Sequence, residues 1–167
     1  MSTISKNEIL WAKVNKNSKI PTKRNEDAGY DIYACFDKDY IIIKPYETNL
    51  IPTGIACGLN EDYYLQLEER GSTGVRGIKR SAGVIDSGYR GEIFVALTNC
   101  NIKPIFISKL SKQDLLKLHG DDECIKLYKK HMNGCIIYPY SKAICQGIVH
   151  IVSNLIYGKW LLYWQVK

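Results

Sequence analysis

Apolar residues in the first hundred positions recur at every second residue, in runs too short for a helix. In Tyr63-Tyr64-Leu65-Gln66-Leu67-Glu68 the leucines share one face, and Gln66 and Glu68 share the other. Ile93, Val95 and Leu97 repeat the pattern, and Ile51, Thr53, Ile55, Cys57 and Leu59 alternate with Pro52, Gly54, Ala56 and Gly58. A period of two is the signature of a strand with one buried face. Pro21, Pro45 and Pro52 fall where strands begin or run along an edge, because proline cannot donate to a ladder. Many short strands at regular intervals predict an all-β sandwich, jelly roll or barrel. At 167 residues and 46% hydrophobic, the chain is long enough for one domain with a core that needs no staples. No apolar run approaches the roughly 18 residues of a membrane span.

Residues 108–134 break the pattern. Ser111-Lys112-Gln113-Asp114 resembles a helix start. Ile125, Tyr128 and Met132 share one helical face, and Gly134 supplies a stop. This predicts a helical insertion between two strands, with strand character returning at Ile136 and running through Ile144 to Val149.

The net charge of +6 is spread over a lysine-rich surface and forms no dense run. It suits an anionic ligand such as a nucleotide, and without an aromatic-basic stacking motif it predicts no direct nucleic-acid binding. The stretch from Ile9 to Val14 is broken by Lys13 and lacks a small-residue cleavage site, so no signal peptide is expected and the expected location is cytoplasmic. Six cysteines, at 35, 57, 100, 124, 135 and 145, include no C-x-x-C pair and read as reduced thiols. Cys35, Cys57, Cys100 and Cys145 lie in apolar strand-like contexts and are expected to be small buried hydrophobes. His119, Cys124, His131 and Cys135 match no compact zinc spacing and read as scattered polar residues on helical turns.

Three segments look unlike ordinary core. Asp27-Ala28-Gly29-Tyr30-Asp31-Ile32-Tyr33-Ala34 places acidic residues around a glycine before a strand. Arg70-Gly71-Ser72-Thr73-Gly74 follows a strand, and its backbone N–H groups, hydroxyls and guanidinium suit an anion; a flexible glycine loop has the same composition. Gly83-Val84-Ile85-Asp86-Ser87-Gly88-Tyr89-Arg90-Gly91-Glu92 ends an apolar strand on Asp86, which is either a turn former or a base presented at a strand end.

In this order the segments resemble the motifs of the trimeric dUTP diphosphatase (dUTPase) family. Asp27 to Ala34 is similar to its first motif, A-G-Y-D-[LI]-x-A, and Arg70-Gly71-Ser72 to its second. Gly83 to Glu92 is a near-complete third motif, and Ala143-Ile144-Cys145-Gln146 resembles the fourth, R-I-A-Q. The glycine-rich second motif is similar to that of phage and Gram-positive members. The resemblance implies a dUTPase-like jelly roll, a distorted β-barrel assembled as a homotrimer with active sites shared between subunits. It also implies hydrolysis of dUTP to dUMP and pyrophosphate with Mg2+ on the triphosphate. Asp86 matches the residue that deprotonates the attacking water, and Tyr89 the ring packed on the deoxyribose. Main-chain groups around Gly83, Val84 and Ile85 match those that read uracil. Arg70, Gly71, Ser72 and Gln146 match phosphate contacts, and Asp31 matches an aspartate linked to the metal through water.

The chain departs from the family pattern in four places. Its second motif reads Arg-Gly-Ser. Arg80 stands where some members carry a base-contacting asparagine, and Ala143 replaces the arginine of the fourth motif. The tail from residue 152 has one glycine and no arginine, so no fifth, lid-forming motif aligns to it, and slow turnover is expected. An alternative reading is a dUTPase-fold nucleotide-binding or regulatory protein with weak catalysis, using residues 108–134 to dock a protein partner. The third motif follows the diphosphatase pattern and not that of the related dCTP deaminase.

Overall fold

The structure is a computed structural model that describes residues 8–118, 123–130 and 135–152. Twelve strands and three short helices follow one another as β1 (Leu10–Lys13), β2 (Tyr30–Tyr33), β3 (Tyr40–Ile43), β4 (Thr48–Pro52), β5 (Ile55–Gly58), β6 (Tyr63–Glu68), α1 (Gly71–Gly74), β7 (Ile78–Arg80), β8 (Val84–Ile85), β9 (Phe94–Asn99), β10 (Ile105–Ser108), α2 (Lys112–Lys117), α3 (Glu123–Lys130), β11 (Ile136–Pro139) and β12 (Ala143–Ile151). The strands form four small sheets, ordered β1-β5, β11-β10-β3, β2-β12-β6-β8 and β4-β9-β7.

The alternation of Leu65 and Leu67 with Gln66 and Glu68 is realised in β6, where both leucines are fully buried and their neighbours stay half-exposed. Val95 and Leu97 of β9 and Ile32 of β2 point into the same core, joined by Ile43, Ile51, Ile55 and Ile105. The run from Ile51 to Leu59 is not one strand. It turns at Gly54, whose φ of +66° glycine adopts at little cost, and the chain leaves β4 in one sheet to form β5 in another.

The expected insertion is present. Ser111 caps α2, its Oγ accepting from the Asp114 N–H at 3.2 Å. β10 and β11 pair in parallel while the other strand pairs are antiparallel, and a parallel pair needs a crossover of about a dozen residues or more. The segment carrying α2 and α3 is that crossover. The side chains of Ile125 and Tyr128, together with Met132 and Gly134, lie outside the described residues. So do His119, His131 and the Cys124 side chain of the cysteine–histidine group, and the tail from residue 153.

Cys35, Cys57 and Cys145 are buried, as expected, but Cys100 is exposed. It follows directly on β9, where the chain turns outward, so strand-like neighbours did not imply a buried position. Burial pushes the Cys57 thiol up to about 11 and that of Cys145 to about 12. Alkylation near neutral pH, followed by peptide mass mapping, is expected to label Cys100 well before Cys57 or Cys145.

Asn99 has no signature in the sequence, yet it is fully buried. Its Nδ2 donates to the carbonyls of Ile43 (3.0 Å), Lys44 (3.2 Å) and Lys103 (2.8 Å), and its Oδ1 accepts from the Asn101 N–H (2.9 Å). One amide thereby satisfies the carbonyls where β3 ends and β9 turns. Asn99→Leu orphans them and is expected to cost on the order of 3 kcal/mol in urea denaturation.

Candidate active site

The register of one sheet brings together the parts of the expected site on β2 and β12. In β12, Gln146 lies opposite Asp31 of β2 on one side and Glu68 of β6 on the other. Residues facing one another across neighbouring strands project to the same side, so these three form a row on the outer face, opposite the buried Ile32 and Leu67. The Gln146 amide donates from Nε2 to the Glu69 carbonyl at 3.2 Å.

After β6 the chain turns into α1 at Arg70, whose backbone is extended (φ −84°, ψ 147°). Its side chain returns to the row. Nε lies 3.2 Å from Asp31 Oδ1, and Nη1 donates to the Ala143 carbonyl at 3.3 Å. Arg70 thus occupies the end of β12 where the fourth motif lacks its arginine. Thr73 holds this loop: its buried hydroxyl donates to the Arg70 carbonyl (2.8 Å) and accepts from the Arg70 N–H (3.1 Å). Its hydroxyl is therefore engaged within the loop, whereas Gly71 and Ser72 stay exposed. This division of labour between two adjacent hydroxyls could not be read from residue type.

The third motif stands apart. Gly83 touches the row, its carbonyl accepting from the Leu67 N–H at 2.7 Å. From there β8 runs back along β6, Val84 pairing with Gln66 and Ile85 with Leu65. Val84 is exposed and Ile85 half-buried. Asp86 therefore lies about four strand residues, or roughly 13 Å, from the level of Glu68. The carbonyl of Asp86 accepts from the Tyr89 N–H (3.0 Å), closing a β-turn, and the Tyr89 hydroxyl donates to the Glu92 carbonyl (2.8 Å). The Asp86 carboxylate is exposed and has no hydrogen-bond or ion-pair partner among the described residues. One chain therefore brings Asp31, Arg70 and Gln146 together and leaves the turn of Asp86 and Tyr89 apart from them, farther along β6.

A hollow of about 290 Å³ lies elsewhere, lined by Glu8, Ile9, Lys23, Ala28, Tyr30, Leu59, Tyr63 and Val149. It meets the first motif only through Ala28 and Tyr30, and neither Asp86 nor the Arg70–Gln146 row borders it. Among the described residues no three His, Cys, Asp or Glu side chains group as a metal site. One oxygen of Asp31 is engaged by Arg70 and one of Glu68 by Arg80, which leaves one carboxylate oxygen of each at the row. That donor set suits Mg2+ held mainly by phosphate oxygens and water, not an all-protein cage.

Comparison with known proteins gives this geometry its context. A family model described as dUTPase matches residues 15–112, more than half of the chain. The chain belongs to the dUTPase family. The deoxyuridine 5'-triphosphate nucleotidohydrolase of Leptospira interrogans (serovar copenhageni) is 31% identical over 96 residues, covering 55% of this chain and 66% of that protein. The Hydrogenobaculum enzyme of the same name is 35% identical over 106 residues, 61% of this chain and 72% of the other. Matches to curated dUTPase relatives thus span about two-thirds of their length. Among solved structures, a mutant dUTPase from phage phi11 of S. aureus, described for its coordination of a structural Mg(II) ion, superposes with a TM-score of 0.68 at 18% identity, covering 94% of this chain and 99% of that one. The native EIAV dUTPase gives 0.64 at 21% identity, covering 92% and 96%. At such identities the likeness establishes the fold, the expected dUTPase jelly roll. The family-model match ends at residue 112, so it includes the first three motifs and not Gln146.

Thr73→Val removes both hydrogen bonds that close the Arg70 loop. It is expected to lower stability by about 1–3 kcal/mol, while Thr73→Ser retains most of it, as read by chemical denaturation.

Proposed function

We propose that this protein hydrolyses dUTP to dUMP and pyrophosphate, as a homotrimer whose active sites form between subunits. The observation that carries the proposal is the division of the site. A row of Arg70, Gln146 and the open Gly71-Ser72 backbone, suited to phosphate, lies roughly 13 Å along the sheet from a free carboxylate on a turn. Apposed across a subunit boundary, they place a base and an anion cradle on opposite sides of one substrate.

In this reading the hairpin from Gly83 through Ile85 offers uracil fixed main-chain donors and acceptors. Cytosine, with the donor and acceptor at its 3- and 4-positions exchanged, leaves a buried partner unpaired. Tyr89, held by its hydrogen bond to Glu92, packs on the deoxyribose and leaves no room for a 2′-hydroxyl. Arg70, Gly71, Ser72 and Gln146 hold the phosphate oxygens. Asp86 takes a proton from water. The water oxygen forms a bond to the α-phosphorus as the bond to the bridging oxygen of the pyrophosphate group breaks, and pyrophosphate leaves with that electron pair. Asp31 would hold a Mg2+ ion through water beside the triphosphate, and the ion would supply charge neutralisation at the phosphate oxygens. The site needs no membrane, and among the described residues no helix is long and apolar enough to cross one. A cytoplasmic location belongs to the same reading. So does a protein partner docked on the insertion, where Lys126, Lys129 and Lys130 of α3 are exposed.

Steady-state hydrolysis of dUTP with Mg2+, against an EDTA control, tests the activity. Asp86→Asn is expected to lower kcat by about 100-fold or more while light scattering still reports a trimer. Undiminished turnover in that variant refutes the assigned base. Tyr89→Ala is expected to lower the ratio of dUTP to UTP hydrolysis, and an unchanged ratio refutes the sugar contact.

A further inference from the structure

One arginine stands between the row and the third-motif hairpin within a single chain. Arg80 ends β7, in the sheet of β4, β9 and β7, and four residues later β8 begins in the sheet that carries the row. Its backbone N–H donates to Glu69 Oε1 (3.1 Å), and its Nη2 donates to Glu68 Oε2 (3.1 Å). Glu68 and Glu69 immediately precede Arg70, and Glu68 lies opposite Gln146. The Glu69 carbonyl in turn accepts from Gln146.

The other side of the guanidinium faces the hairpin. A Cβ at Gly83 would lie 2.7 Å from Arg80 Nη1, 2.8 Å from its Cδ and 2.9 Å from the Leu67 carbonyl oxygen, so only glycine permits this approach. The Arg80 side chain is 18% exposed, and its Nε is buried with no partner among the described residues. The fork is therefore held by Glu68 and by its packing on Gly83, not by saturating its own donors.

We propose that Arg80 is a positioning residue for dUTP hydrolysis, bracing the start of the uracil-reading hairpin against the strand end that sets Arg70 and Gln146. The proposal rests on the shared-site reading above. In that assembly the hairpin and the row of one chain serve two different active sites, so a single brace fixes both half-sites of every subunit. A lysine in its place keeps the charge but lacks the planar fork that reaches Glu68 and lies on Gly83 together. Small misplacements of reacting groups cost far more rate than stability.

The test compares Arg80→Met, Arg80→Lys, Glu68→Gln and the Arg80→Met/Glu68→Gln double variant. For each, kcat and KM for dUTP, the Kd for dUMP and the Tm are measured on the intact trimer. Arg80→Met is expected to lower kcat about 10-fold or more and to weaken dUMP binding. Glu68→Gln is expected to move both in the same direction by less, Arg80→Lys to restore part of the loss, and the double variant to be no worse than Arg80→Met. A folded Arg80→Met trimer with wild-type kcat and dUMP affinity overturns the proposal, even with a lowered Tm, because a merely structural role moves Tm alone. Should Arg80→Met fail to fold, wild-type kinetics in both Glu68→Gln and Arg80→Lys overturn it equally. A wild-type chain that does not hydrolyse dUTP removes the parent reading and the brace with it. An active wild-type with unaffected variants removes the brace alone.

Discussion

The pairing of β12 with β2 and β6 is the constraint on which the site depends. It places Gln146 between Asp31 and Glu68, and it leaves Ala143 where its carbonyl meets the Arg70 guanidinium. Because side chains alternate across a strand, a slip of one residue in β12 would turn Gln146 into the core and bring Cys145 out. That slip would expose one fully buried thiol and bury an amide, while Leu65 and Leu67 on β6 hold the opposite parity in place. Core packing and the geometry of the charged row are thus consequences of one register. The register shift between Ala143 and Cys145 lies at the row's edge, where the strand leaves the ladder and Arg70 closes over it.

Much of this was legible in the residues. The parity of β6 and β9, the Ser111 cap and the insertion between two strands all follow from local patterns that the fold leaves intact. The motif residues Asp31, Arg70 and Gln146, far apart in the chain, come together on one face of the sheet. What local patterns could not supply was direction over distance. The run through Thr53 and Gly54 alternates perfectly and still contains a change of sheet, since alternation says nothing of a turn that glycine permits. Asn99 and Thr73 are ordinary polar residues in sequence, and their roles arise from carbonyls and an N–H that only the tertiary fold brings within reach. Cys100 lies outside the core because the strand stops one residue before it.

The same limit applies to the site. Residue types pointed to a carboxylate at a strand end and a loop suited to an anion, but not that the two stand roughly 13 Å apart along the sheet in one chain. The separation of Asp86 from the row follows from β8 running back along β6 instead of extending past it. A single hairpin direction therefore turns what looks in sequence like one active centre into two half-centres, and oligomerisation becomes part of the proposed chemistry. Arg80 then acquires meaning as the only described side chain that both pairs with the row's Glu68 and packs on the hairpin's Gly83.

The chain order of the central sheet also bears on how the protein is made. β12 is the last described strand, yet it lies between β2 and β6, whose residues are synthesised more than seventy positions earlier. Long-range strand pairing is slow because loop closure precedes any gain from contact. A nascent chain still lacking β12 carries β2 and β6 with unpaired edges and their apolar faces incompletely covered. Emergence of β12 from the ribosome is therefore the event that completes this sheet, and until then β2 and β6 keep the unpaired edges that favour aggregation.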